Sequence, residues 1–131
     1  MFLLHKIDGS DLSLSPEYLP CSAIQPLVGV AMIQSGGNLT VCTGTKKPTY
    51  ISLCERETAC AAGDPIPVLR VRPDMVFKTT FINSAASIKL GDKVTIDSYG
   101  QAVTATTTDG VAEVVCIDST AAGGECYVRF P

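Results

Sequence analysis

Apolar and polar residues alternate with a period of two along most of this chain, and glycine, proline and threonine clusters break the alternation about every ten residues. That pattern predicts short strands joined by turns. Val28, Val30 and Met32 share one side of a strand, Ser35-Gly-Gly-Asn38 supplies a tight turn, and Leu39 with Val41 carries the return strand. Tyr50-Ile-Ser-Leu53 reads as a third strand, residues 61–67 as a loop and residues 68–72 as a closing strand. The stretch Ser52-Leu-Cys-Glu55 has capping-box spacing, which allows a helical turn over residues 55–61. Met75, Phe77, Thr79 and Phe81 occupy one side of a bridging strand over residues 75–82. Beyond it, Val94 and Ile96 face one way and Ser98-Tyr-Gly100 turns, leading to a threonine-rich strand over residues 102–108. Asp109-Gly110 is a hairpin turn signal. Residues 111–117 are nearly continuous in apolar side chains, as expected of a central strand covered on both faces. In the last strand Cys126, Val128 and Phe130 point inward, and Tyr127 and Arg129 outward.

These landmarks occur twice in the same order. Ala31-Met-Ile-Gln-Ser-Gly-Gly-Asn38 aligns with Val94-Thr-Ile-Asp-Ser-Tyr-Gly-Gln101, and Leu53-Cys-Glu-Arg-Glu-Thr58 with Val115-Cys-Ile-Asp-Ser-Thr120. Ala62-Gly-Asp64 then aligns with Gly123-Gly-Glu125, and Leu69-Arg-Val71 with Val128-Arg-Phe130. One supersecondary unit used twice is the simplest account. The glycine-rich counterpart of residues 55–61 lacks the capping signal, which argues against a helix there. The expectation is an all-β fold, a compact sandwich or barrel-like domain over residues 27–131 made of similar units at 28–72 and 91–130.

Residues 1–26 differ in character. Pro16, Pro20 and Pro26 fix φ and remove ladder donors, so this segment is expected to be an extended arm outside the core. Its apolar residues, Phe2, Leu3, Leu4, Ile7, Leu12 and Leu14, suit addition to a partner by strand pairing.

Composition narrows the function. At 131 residues the chain fits one domain, and a net charge of -3 with a single doubled basic pair, Lys46-Lys47, argues against nucleic acid as a partner. No apolar run is long enough to span a bilayer as a helix, and Phe2-Leu3-Leu4 is too short for the apolar region of a signal peptide. His5 is the only histidine, no Cys-x-x-Cys pair exists and no phosphate-binding glycine loop is present, so neither an enzyme nor a metal or other cofactor is expected.

The six cysteines read as reduced, mostly buried thiols in a protein without an export signal. If bridges form, loop proximity nominates Cys54 with Cys60 and Cys116 with Cys126. Arg70, Arg72 and Arg129 are candidate interface residues, because the repeat places Arg70 and Arg129 on the outward face of matching strands.

Within residues 91–130 the strand opening Gly91-Asp92, the turn ending at Gly100, the Gly110-Val111 start and the closing Gly124-Glu125-Cys-Tyr-Val-Arg129 resemble the head decoration, or cement, proteins of tailed phages. Residues 28–71 follow the same plan more loosely, with Pro65 and Pro67 interrupting the closing strand. The resemblance implies a β domain that binds the outer surface of an assembled capsid and reinforces it. It implies a homotrimer, the major capsid protein as partner, an N-terminal arm that contributes by strand pairing, and a place on the virion after assembly in host cytoplasm. Thiols reduced at assembly would be free to oxidise in the released particle. Two other readings suit a small β domain: a carbohydrate-binding or adhesin-like module, which needs a cluster of exposed aromatics, and a disulfide-rich extracellular binding domain.

Overall fold

The tight turn at Gly36-Gly37 sets the frame of the first sheet. In the computed structural model, which describes residues 1–7 and 16–131, both glycines have positive φ (60° and 86°), and Ser35 pairs directly with Asn38 across them. Glycine adopts this conformation without a Cβ clash, and the resulting twist matches that of the flanking strands.

Among the described residues, ten strands form two antiparallel sheets. They are β1 (Leu3–Ile7), β2 (Glu17–Pro20), β3 (Ala31–Ser35), β4 (Asn38–Val41), β5 (Tyr50–Ser52), β6 (Pro65–Arg70), β7 (Met75–Thr80), β8 (Lys93–Val94), β9 (Ala112–Ile117) and β10 (Glu125–Arg129). One sheet has the order β2-β6-β5-β3-β4 and the other β1-β7-β10-β9-β8. The fold is an all-β sandwich of two similar units, as the repeat predicts.

The repeat is more extensive than its sequence traces. The first unit starts at β2 and the second at β7, since each of these strands pairs with the last strand of its own unit. Residues 75–82 therefore open the second unit and do not bridge two units. At the end of each first strand the same bonds recur. Cys21 donates to the Asp64 carbonyl and accepts from Gly63, both at 2.8 Å; Phe81 donates to Gly124 at 3.0 Å and accepts from Gly123 at 2.7 Å. Parallel bridges from Cys21 to Leu39 and from Phe81 to Val103 then curl each sheet towards closure.

The sheets differ in what covers them. Ala31, Ile51 and Leu69 on one face of the first sheet join Phe77, Val94, Ala112, Cys126, Val128 and Phe130 in the main core. Met32, Leu39, Tyr50, Ile66 and Val68 on its opposite face form a second core, closed by Cys21 and Cys60, with Ile24, Leu27 and Cys54 packed against it. The first sheet is thus buried on both faces. The second is buried on one, because its outward residues include exposed Cys116 and half-buried Glu113, Val115, Tyr127 and Arg129. This corrects the expectation that residues 111–117 are covered on both sides: the strand is internal to its sheet, but only Ala112 and Val114 are buried.

The N-terminal segment is also corrected. β1 pairs with β7 from Leu3↔Lys78 to Ile7↔Met75, and β2 pairs with β6. Phe2 is 1% exposed, sits edge-to-face with Phe130 at 5.6 Å and donates its N–H to Gly29 at 2.8 Å. Residues 1–7 and 17–20 are therefore sheet and core, not an arm that stands apart. Leu12 and Leu14 lie outside the described residues.

Three local expectations fail for identifiable reasons. Residues 65–67 are strand and not loop: β5 reaches only Val68 of β6, so no β5 carbonyl awaits the N–H that Pro67 lacks, and the Pro67 carbonyl accepts from Leu53 at 3.0 Å. Residues 55–61 contain no helix. Residues 102–108 are not a regular strand: backbone bonds tie Thr104 and Thr106 to Thr95, but the Thr104 hydroxyl also bonds Thr95 Oγ1 at 2.7 Å and the Thr106 N–H at 3.0 Å. Such side-chain bonds compete with a ladder. The Asp109-Gly110 turn is present, with Asp109 at φ 53°, although it joins this irregular segment to β9 and not two regular strands.

Backbone bonds lock the units together. Gly44 and Ile96 exchange N–H···O bonds of 2.9 and 3.0 Å, and Ala31 donates to Gly100 at 2.7 Å. Gly100, at φ 67°, leaves no room for a side chain, because a Cβ would lie 2.7 Å from Val41. Asp97 holds this turn by accepting from Gln101 at 2.9 Å and Ala102 at 3.1 Å.

Candidate functional site

The outward face of the second sheet carries a broad concavity. It is a groove of about 480 Å³ lined by His5 and Lys6 of β1, Val76 of β7, Val115 and Cys116 of β9, Asp118, and Tyr127 and Arg129 of β10. Alternation puts Tyr127 and Arg129 on this face, opposite to buried Cys126 and Val128, and register shifts between Leu4 and Lys6 and at Val115 let the consecutive pairs His5-Lys6 and Val115-Cys116 both reach it. The His5 ring tilts against Tyr127 at 4.7 Å between centroids. Along the same face Lys78 forms a 3.0 Å ion pair with Glu125, which raises the lysine's pKa. Tyr and Arg above a partly apolar floor are side chains that protein interfaces favour.

A smaller groove of about 230 Å³ runs between the units, lined mainly by Ile24, Leu27, Val30, Met32 and Val41 with Tyr99 at its rim. Among the described residues, no group of three or more His, Cys, Asp or Glu side chains is arranged to hold a metal ion, and no helix is long and apolar enough to cross a membrane.

The three candidate interface arginines occupy different settings. Arg70 grips Glu17 through two bonds of 2.9 and 2.7 Å and lies over the Tyr50 ring at 5.1 Å. The hydrogen bond from Arg70 holds the Glu17 carboxyl below its ordinary pKa. Arg72 is paired with Asp74 at 3.2 Å, and Arg129 lines the sheet groove. Arg70 and Arg129 are not equivalent, contrary to the sequence alignment. Val68 pairs with Ser52 and Glu17, and Val128 pairs with Val114 and Phe77, so Val68 matches Val128 and Arg70 matches Phe130. A one-residue shift in register moves a side chain to the opposite face.

Of the apolar N-terminal residues, Phe2 is consumed by the core, Leu4 and Ile7 pack against it, and Leu3 is 44% exposed. All six cysteines are free thiols. Cys116 and Cys126 lie on opposite faces of their sheet, one exposed and the other fully buried, which rules out the bridge proposed for them. Burial pushes the Cys126 thiol up to about 12, with Asp118 and Cys116 adding to the effect, and burial likewise raises Cys42 to about 11. Cys54 and Cys60 share the second core with Cys21, a neighbour that chain spacing does not reveal. His5, Lys6 and Tyr127 had no distinguishing sequence signal as surface formers, because their groove depends on β1 pairing with β7 some seventy residues away.

A scan of known protein families finds no matching family model, and comparison with curated protein sequences finds no match.

Proposed function

We propose that this chain is a structural binding protein of a virion, a decoration protein that attaches to the outer surface of a phage capsid and stabilises it as a homotrimer. The observation that carries the reading is the groove-bearing outer face of the second sheet, built largely from the stretch that resembles decoration proteins and left open by the described residues. A binding role draws on shape, Tyr and Arg, and repetition over a symmetric shell multiplies modest contacts into firm attachment. Phe2, Leu4 and Ile7 are engaged within the fold, so the capsid contact assigned to the arm passes to this face, with Leu3 at its exposed edge.

The carbohydrate-binding alternative gains no support from the aromatics. Tyr50 is buried beneath Arg70 and Tyr127 lies against His5, leaving exposed Tyr18 and Tyr99 on separate elements.

The test is protein mass spectrometry on purified particles of the virus that encodes the chain, after lysine labelling with a reagent that does not enter intact capsids. Stoichiometric copies labelled at Lys46 or Lys47, exposed and outside the groove, are expected, with Lys6 and Lys78 protected until the protein is released, together with a threefold mass for the free protein by light scattering. Absence from particles, or copies protected until the capsid is opened, would overturn the outer-surface assignment. A monomer in solution would overturn the trimer.

A further inference from the structure

Three of the six cysteines meet in the first unit. Residues 21–24 and 60–64 run side by side: Cys21 and Asp64, Gly63 and Cys21, and Cys60 and Ile24 are joined by backbone bonds of 2.8, 2.8 and 2.9 Å. Cys21 and Cys60 are 0% and 3% exposed in the same small core, and burial together with the neighbouring Cys60 raises the Cys21 thiol's pKa. Cys54 is half-buried at the rim of that core, two residues from Arg56, whose guanidinium is held by Asp64 at 3.3 Å. The second unit is an internal control. Phe81 makes the same pair of backbone bonds as Cys21, so this junction forms without any sulfur.

We propose that Cys21 and Cys60 close a disulfide when the protein meets a small disulfide such as oxidised glutathione, with Cys54 as the first thiol to react. Cys54 is the most accessible of the three, and Arg56 beside it attracts the anionic reagent. The Cys54 thiolate attacks one glutathione sulfur, the glutathione S–S bond breaks, and one glutathione leaves as thiolate. The Cys60 thiolate then attacks the Cys54 sulfur, releasing the second glutathione. Finally the Cys21 thiolate attacks Cys60, and Cys54 departs as a thiolate. In sum, two protein thiols lose two electrons and two protons, and one oxidised glutathione becomes two reduced ones. The end point favours Cys21–Cys60 over Cys54–Cys60 because the fold already holds Cys21 and Cys60 in one core on segments tied by backbone bonds, whereas Cys54 meets them from the rim. The bond ties β2, an edge strand, to the loop that enters β6.

The folded wild-type protein is incubated with oxidised glutathione at mildly alkaline pH, quenched with iodoacetamide, digested and mapped by mass spectrometry. A Cys21–Cys60 linked peptide is expected as the dominant internal bridge, with Cys42 and Cys126 alkylated only after unfolding and Cys116 carrying glutathione alone. Recovery of Cys54–Cys60 as the stable product, or of mixed disulfides only, overturns the proposal. Cys54→Ser should slow closure at least fivefold while leaving the same final bridge. An unchanged rate would remove Cys54 from the route.

Discussion

Replacing Phe2 with alanine should destabilise the protein by about 3–5 kcal/mol, the cost of truncating a fully buried aromatic ring. The ring is 1% exposed and meets Phe130, whose own ring lies 5.8 Å from Phe77, so truncation opens a void at the centre of the main core. Loss of the edge-to-face contact accounts for about 0.5–1.5 kcal/mol of the total. Against a typical domain stability of about 5–15 kcal/mol, that change shifts a urea midpoint well beyond error. Leu3→Ala is the matched control: Leu3 is 44% exposed one position away, so its truncation should change stability by no more than about 0.5 kcal/mol. Equilibrium urea unfolding of both variants, followed by far-ultraviolet circular dichroism, measures the difference. A Phe2→Ala cost below about 1 kcal/mol with an unchanged m-value would refute the placement of the N-terminus in the core and restore the free arm.

Three further outcomes follow from the same structure. Gly110→Ala should destabilise by about 1–3 kcal/mol in urea unfolding, because a Cβ there collides with the Lys93 carbonyl and comes within 2.6 Å of the Val94 nitrogen, a backbone overlap no rotamer relieves. Alkali should weaken the fold: Cys21 and Cys42 are raised from 9.0 to about 11 and Cys126 to about 12, so their contribution is complete below pH 9 and is lost as pH rises through 11–12. Urea midpoints should therefore fall over that window, and a Cys42→Ala, Cys126→Ala variant should show a shallower fall. On the acid side, Glu17 is held below its ordinary pKa by Arg70, so the pair stabilises above pH 4.5 and is lost as pH falls through the depressed value. Glu17→Gln should flatten the stability profile below pH 4.5, and a profile identical to the parent's would refute the pairing.

The parts of the fold that were legible in the sequence are those decided by local chemistry. The Gly36-Gly37 turn follows from positive φ, and the inward sets Met75, Phe77, Thr79, Phe81 and Cys126, Val128, Phe130 follow from alternation alone. What was hidden depends on partners distant in the chain. Proline at 65 and 67 reads as a strand breaker unless it is known that β5 is three residues long and ends before reaching them. Residues 2–7 read as an arm because β7, which receives them, lies in the other half of the sequence. The grouping of Cys21 with Cys60 was invisible for the same reason, and so was the separation of Cys116 from Cys126: alternation from inward Ala112 and Val114 turns Cys116 inward too, and only the register shift opposite Tyr127 and Val128 places it on the outer face.

The register of the repeat carries the larger lesson about the candidate surface. Matching Val68 to Val128 makes Ala31, Ile51 and Leu69 the counterparts of Lys93, Glu113 and Arg129. In the first unit that face is apolar and lies against the second unit; in the second unit the same face is polar and holds the groove. The duplicated sheet thus keeps its hydrogen-bonding plan while its outer face changes from apolar to polar. A chain that simply stacked more units would retain the apolar version on both, and would expose Leu and Ile at its end. Substitution of Lys, Glu and Arg at these positions closes the stack and leaves a surface suited to a partner of different chemistry, which is why the groove and not the repeated apolar face is the place to look for binding.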